Sequence, residues 1–192
     1  MISAILLAAG MSKRMGGDNK LIKEVKGKPL IIHSVKNILS SSVDELIIVV
    51  GYQHKNIEML VGKNNKIKFA FNKDFSNGVA SSIKVGLKQI SKQTESFFIC
   101  LADMPNVNKN IYNDMIKSKK NNEIIIPTYK NQQGNPVLFS INMKDKIMNI
   151  DGDVGAKKII EMNKDKVFSL ETNDLNVTVD FNTKESFSSK SL

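Results

Sequence analysis

Three uninterrupted apolar runs constrain the fold of this chain more than any other feature. They are Ile5-Leu6-Leu7-Ala8-Ala9, the stretch ELIIVV over residues 45–50, and SFFICL over residues 96–101. A strand with one face in water alternates apolar and polar residues; a strand covered on both faces does not. Helical spacing fills the intervals. Pro29 opens a helix through about Ser40, with Leu30, Ile31, Val35, Ile38 and Leu39 apolar and Ser40-Ser41-Ser42 at its end. A short helix is expected from about Lys55 to Val61. Val79–Ile90 carries Ile83, Leu87 and Ile90 on one face, and Asn108–Lys119 carries Ile111, Met115 and Ile116. Lys66–Phe71, weaker and alternating, and Glu123–Pro127 read as further strands. Strands alternating with helices in this way predict an α/β fold with a mostly parallel sheet.

After Pro127 the pattern changes. Gly134–Phe139 reads as a turn into a strand, and Asp151–Ala156 as a loop capping a helix that runs to about Met162. Lys166–Leu170 and Asn176–Asp180 read as short strands, and the serine-rich tail over 183–192 is expected to fray. A length of 192 residues suits one domain, over 1–182, with a sizeable core.

Composition narrows the function classes. No apolar run approaches the ~18 residues of a membrane span. No charged segment precedes the N-terminal apolar stretch, so a signal peptide is not expected and a cytoplasmic location is. Cys100 has no second cysteine to pair with, and two histidines, His33 and His54, are too few for a multi-histidine zinc site. The formal charge of +9 favours anionic partners, yet the lysines are spread along the chain. No basic block and few aromatics are present to serve a nucleic-acid surface, so nucleic acid is not an expected partner.

The first apolar run stops at Gly10 and enters a loop with Gly16, Gly17, Lys13, Arg14 and Lys20. A buried strand feeding a glycine-rich, basic loop is a way to hold phosphate: bare backbone N–H groups approach the anion and the cations neutralise it. Arg14 is the single arginine of the chain, against 27 lysines. Its planar guanidinium can grip two phosphate oxygens where lysine offers a point charge. The spacing fits neither a Walker A loop nor the dinucleotide G-x-G-x-x-G. The fourth strand ends in Ala102-Asp103-Met104-Pro105, and ligands of open α/β sheets bind beyond the carboxyl ends of strands. Asp103 reads as a Mg2+ ligand beside the phosphate loop, or as a helix-capping or turn carboxylate. Ser76–Ser82 reads as a helix start that binds a base or ribose, or as plain capping. Asp151, Asp153 and Asp180 taken singly read as turn or surface carboxylates, His33 as a packed or solvated histidine, and Cys100 as core.

The segments AILLAAGMSKRMGGDNKLI, GKPLIIHSV, NGVASSIKVGL, LADMP, GNPVLF and GDVGAK follow one another over roughly residues 2–160. In that order the chain resembles the molybdenum cofactor nucleotidyltransferases, and among them the cytidylyltransferases that join CMP to molybdopterin. The resemblance implies a Rossmann-like three-layer nucleotidyltransferase fold and dependence on Mg2+. It implies transfer of CMP from CTP to the terminal phosphate of molybdopterin, with or without molybdenum, and release of pyrophosphate. By the same likeness Leu7, Ala8, Ala9 and Gly10 contact the nucleotide, Arg14 and Lys20 hold its phosphates as the catalytic cations, and Ser82 lies near the base. Asp103 binds Mg2+, and Gly134, Asn135, Pro136 and Asp153 lie towards the pterin. A recipient molybdoenzyme is an implied partner.

The Ala8-Ala9-Gly10 form resembles the cytidine-using branch, which includes the methylerythritol phosphate cytidylyltransferases; the guanosine-using branch usually has Ala-Gly-Gly. A larger residue at position 9 favours the smaller pyrimidine. Two departures stand out. Ala102 replaces the usual glycine, and Asp180-Phe181-Asn182-Thr183-Lys184-Glu185-Ser186 stands where relatives often read D-I-D-T-P-E-D. A second metal carboxylate is therefore either Asp180 or lost at Asn182. The alternatives are GTP as donor, a sugar or polyol phosphate as acceptor, and a non-catalytic carrier of the finished cofactor. Transfer to a terminal phosphate needs no general base, because that phosphate is already largely dianionic, with a second pKa of about 6.

Overall fold

A computed structural model describes residues 1–12, 19–120, 122–152 and 155–181 of the chain. Strand β1 (Ile2–Ala8) is followed, beyond the glycine-rich loop, by a two-residue hairpin, β2 (Glu24–Val25) and β3 (Lys28–Pro29). Then come α1 (Leu30–Leu39), β4 (Glu45–Val50), α2 (His54–Val61), β5 (Ile67–Phe71), α3 (Val79–Leu87), β6 (Ser96–Leu101) and α4 (Lys109–Lys117). The second half holds β7 (Ile124–Tyr129), β8 (Gln132–Gln133), β9 (Val137–Ser140), α5 (Lys144–Met148), α6 (Ala156–Met162) and β10 (Val167–Glu171). The main sheet runs β10-β7-β9-β6-β1-β4-β5, with β8 paired to β7. Its pairs are parallel except those made by β9 and β8. This is the expected three-layer α/β architecture with a mostly parallel sheet.

The continuous apolar runs are explained by the two cores. Leu6, Ile48 and Phe98 face one layer with Leu30, Ile38 and Met115 of α1 and α4. Ile5, Ile47, Val49, Phe97 and Ile99 face the other with Ile83, Leu87, Ile147 and Ile159. Strand β5 alternates because it is the sheet edge: Phe71 is exposed while Ala70 is buried. Gly86 of α3 lies so close to β1 that a Cβ there would run into Ile5, which sets the helix tight against the sheet.

Three sequence expectations need correction. Asn176–Asp180 is not a strand; Leu175–Thr178 is a 3-10 turn. Asp174 accepts the Asn176 N–H at 3.0 Å, and this local bond competes with extension. Pro29 is the cap of α1 rather than its first helical residue, because its backbone is held extended against Glu24 in the hairpin. The helix from Val79 ends at Leu87, short of Ile90. Arg14, Lys13, Gly16, Gly17, Asp153, Asn182 and the 183–192 tail lie outside the described residues.

The other end of the sheet is locked by a buried carboxylate. Ser3 Oγ donates to Glu45 at 2.6 Å, the Ser91 N–H at 2.7 Å, and Lys68 Nζ at 2.7 Å. Burial pushes this carboxyl up, but the bonds from Lys68, Ser3 and the Ser91 N–H outweigh it and hold the group below its ordinary value of 4.5. A depressed carboxylate stabilises fully above the unfolded-state value, and this contribution is lost as pH falls through the lower folded-state value. Urea unfolding should show this contribution declining below pH 4.5. Glu45→Gln should cost about 1–3 kcal/mol at neutral pH and weaken that acid dependence.

Candidate active site

The carboxyl ends of β1, β4 and β6 meet at one edge of the sheet, and the distinctive loops start there. Beyond β1, the Ala9 carbonyl accepts the Tyr52 N–H at 3.2 Å, which ties the first loop to the turn after β4. Gly51 permits this approach: a Cβ there would stand 2.8 Å from Phe75 and 2.9 Å from the Ala9 methyl. Ala9 is buried, while Gly10 is exposed and a Cβ on it would meet nothing within 4 Å. Packing therefore demands glycine at position 51 and not at position 10.

The far end of the basic loop is anchored rather than loose. Asn19 is buried, its Oδ1 accepts the Leu21 N–H at 3.1 Å, and its amide reaches the Tyr52 carbonyl at 3.4 Å. The Lys20 N–H donates to Ser12 Oγ at 3.1 Å across the two ends of the loop. These bonds aim the Lys20 side chain across the sheet edge, where Nζ lies 2.5 Å from Asp103 Oδ2. Both side chains are largely shielded, 14% and 17% exposed. Charge pairing at a half-shielded site is stronger than on open surface, since less water screens it.

Asp103 is held from three sides. The Ala102 N–H donates to the Leu7 carbonyl at 3.3 Å, continuing the register between β1 and β6 for one more residue. Helix α1 secures the loop below: Ser34 Oγ donates to the Ala102 carbonyl at 3.1 Å and Asn37 to the Pro105 carbonyl at 2.9 Å. The Phe181 N–H donates to the Asp103 carbonyl at 2.9 Å, with the Phe181 ring buried. This bond brings the backbone of exposed Asp180 beside the Asp103 backbone. The sequence reading did not single out Ser34, Asn37 or Phe181. The i,i+3 polar pair on an apolar helix face was the only available signal for the first two.

Helix α3 starts over the same edge. Asn72, fully buried at the end of β5, donates to Ser81 Oγ at 2.8 Å and Ser82 Oγ at 3.0 Å. The Ala80 N–H donates to the Gly152 carbonyl at 3.2 Å, and Lys84 pairs with Asp151 at 2.5 Å, so the 151–152 loop docks on this helix. Gly134 is explained by packing: a Cβ would run into the Val177 carbonyl, which also accepts the Asn135 N–H at 2.8 Å. Gly134 and Asn135 thus bind the 174–181 segment whose far end holds Asp103. Pro136 is buried and enters β9.

The other reactive groups are spoken for. Cys100 is buried and desolvation pushes its thiol up to about 12, so it is no nucleophile at neutral pH. His33 Nε2 lies 2.7 Å from the Val25 carbonyl and fastens the hairpin to α1. Among the described residues no three or more His, Cys, Asp or Glu side chains gather as a metal cage.

The family model described as the MobA-like NTP transferase domain matches residues 4–167. The "Probable molybdenum cofactor guanylyltransferase" of Methanosarcina acetivorans is 26% identical over 153 residues, covering 78% of this chain and 67% of that protein. A protein of the same name from Methanosarcina mazei is covered over 61% of its length, so the chain spans about two thirds of these relatives. The nicotine blue oxidoreductase of Paenarthrobacter nicotinovorans is 22% identical over 96% of this chain and 93% of its own. Among solved structures, a nucleotidyl transferase from Methanothermobacter superposes with a TM-score of 0.84 at 19% identity, over 98% of this chain and 95% of that one. Rv0371c of Mycobacterium tuberculosis in complex with manganese superposes with a TM-score of 0.83 at 18% identity, over 98% and 97%. These likenesses bear on fold: it is a Rossmann-like α/β nucleotidyltransferase fold.

Gly134→Ala should displace the 174–181 segment and destabilise the protein by about 1–3 kcal/mol, the usual cost of overpacking. Chemical denaturation checks it; Gly10→Ala, with open space around its Cβ, should leave stability near that of the parent.

Proposed function

The chain belongs to the family of MobA-like NTP transferase domains, and from that premise we propose that it transfers CMP from CTP to the terminal phosphate of molybdopterin. A phosphate oxygen of the acceptor attacks the α-phosphorus of CTP. The bond from that phosphorus to the bridging oxygen breaks, and pyrophosphate leaves with the electron pair. The observation that carries this reading is the Lys20–Asp103 pair, 2.5 Å apart at the carboxyl ends of β1 and β6. It sets a phosphate-seeking cation and a metal-seeking carboxylate side by side, which is what a nucleoside triphosphate and its cation require together.

The residues fit a divalent cation. Asp103 offers a hard carboxylate oxygen, and Mg2+ is commonly held by one or two carboxylates together with substrate phosphates and water. Asp180, whose backbone lies beside that of Asp103, is the candidate for the second carboxylate. When bound, Mg2+ would neutralise phosphate charge in the ground state and on the leaving group. Lys20 and Arg14 do the rest of the electrostatic work: Lys20 turns from Asp103 to the phosphates, and Arg14 grips phosphate oxygens as a planar fork. Leu7, Ala8, Ala9 and Gly10 line the nucleotide, with open space above Gly10 for a close backbone approach. Ser82 serves the base side, and Asn135, Pro136 and Asp153 the acceptor side. No residue is asked to act as a general base, so catalysis is positioning and charge stabilisation.

Cytidine is favoured by the Ala9 methyl, which lies close to Gly51, within 2.9 Å of where a Cβ on that residue would stand, and leaves less room than a glycine at position 9 would. GTP is the second reading, favoured by the names of the Methanosarcina relatives. Among the described residues no helix is long and apolar enough to cross a bilayer. A cytoplasmic enzyme is the reading we adopt.

Arg14→Ala and Lys20→Ala should each cut pyrophosphate release by about 100-fold or more, with circular dichroism near that of the parent; Lys20→Ala should also lower the melting temperature, because it strands the shielded Asp103 carboxylate. Near-normal turnover in either variant would remove its assigned role.

A further inference from the structure

Asn72 was not among the expected site residues, yet its side chain sits at the centre of the first turn of α3. Its orientation is dictated and not a matter of choice. The Asp74 N–H, which can only donate, lies 3.0 Å from Asn72 Oδ1. The amide oxygen must therefore face Asp74, and both protons of Nδ2 face Ser81 and Ser82. The Asn72 N–H is itself tied to the Val50 carbonyl at 2.8 Å, so the amide is fixed at the end of β5 beside the site.

The two serines then differ. Ser81 Oγ accepts from Asn72 and spends its own proton on the Gly78 carbonyl at 2.8 Å or the Asp74 carbonyl at 3.1 Å. Ser82 Oγ accepts from Asn72 at 3.0 Å, and among the described residues no acceptor takes its proton. A buried hydroxyl, 5% exposed, thus has its acceptor side engaged and its donor side unspent. A group in that state recognises an acceptor atom, because leaving the donor unpaired in a shielded site is costly.

We propose that Asn72 is a positioning residue that sets the hydrogen-bond polarity of Ser82, so that Ser82 donates to an acceptor on the pyrimidine edge of the bound nucleotide. This rests on the nucleotide-binding reading above and adds to it the device that sorts bases. Cytosine presents two adjacent acceptors, O2 and N3, beside its amino group; guanine presents one acceptor, O6, beside two adjacent donors, N1–H and the N2 amino group. A fixed donor at Ser82 pairs with the adjacent acceptors of cytosine and opposes the adjacent donors of guanine. Discrimination by a polar group built for one partner is larger than discrimination by size alone.

The test is titration calorimetry of the full chain with Mg2+ and CTP, and separately with Mg2+ and GTP, for the parent, Asn72→Asp, Ser82→Ala and the double variant, with melting temperatures recorded. A carboxylate at position 72 must accept from both serines, which reverses Ser82. Asn72→Asp should then lower the ratio of CTP to GTP affinity by about tenfold, a shift that mere loosening of α3 would not give. Ser82→Ala should lower CTP affinity by a similar factor, and Asn72→Asp should change the ratio no further in its background. Ser82→Ala keeps the Asn72–Asp74 and Asn72–Ser81 bonds, so it carries the test by itself if Asn72→Asp does not fold. A parent that binds CTP, with the ratio unmoved in a folded Asn72→Asp variant or CTP affinity unmoved in Ser82→Ala, overturns this inference and leaves the enzyme reading standing. A parent that prefers GTP, or binds neither nucleotide, overturns the cytidine reading and this inference with it.

Discussion

The Lys20–Asp103 ion pair is the contact on which the rest of the site depends. Its two partners are 83 residues apart in the chain and 2.5 Å apart in space. Neither side chain would be fixed by its own loop. Lys20 is aimed by buried Asn19 and by the bond to Ser12, and Asp103 is held by β1, by Ser34 and Asn37 of α1, and by the Phe181 N–H. Removing one partner would strand a half-shielded charge, which costs more than the pair contributes. In the proposed reaction the pair would double as a resting arrangement, each group the other's counter-ion until phosphate and cation arrive together.

The sheet makes that meeting possible. Parallel pairing of β1 with both β4 and β6 puts three loop starts at one edge, and covering both faces keeps the strands rigid beneath them. The C-terminal segment then crosses this edge from Gly134-Asn135 to Asp103, with Val177 and Phe181 buried as its two anchors. Gly134-Asn135 and Asp103 are thereby mechanically joined through one segment, which carries the carboxylates of Asp174 and Asp180.

Much of this could be read from the residues, and the rest could not, for identifiable reasons. The buried strands were legible because ILLAA, ELIIVV and SFFICL carry no alternation, and β5 as a weaker strand because it does. The expected strand at Asn176–Asp180 failed because the Asp174 side chain closes a local turn that an alternation count does not register. Lys20 and Asp103 could be singled out by residue type and by their place at strand ends. Their mutual contact could not, since it depends on register between β1 and β6. Ser34 and Asn37 look like ordinary polar positions on an amphipathic helix, and Phe181 looks like a stray apolar residue in a polar tail. Gly134 was expected towards the pterin; its requirement for glycine comes from the Val177 carbonyl. Asn72 does not stand out in the sequence because an asparagine after a strand usually marks a turn; only its hydrogen bonds to Ser81, Ser82 and the Asp74 N–H set it apart.

The most direct measurement is pyrophosphate release by the full chain with Mg2+ and molybdopterin, run separately with CTP, GTP and ATP, with the product's mass determined. The account predicts release with CTP and a product carrying CMP on the terminal phosphate of the acceptor. Release with GTP alone would contradict the cytidine assignment, and no release with any of the three in the presence of a competent acceptor would contradict the enzyme reading itself.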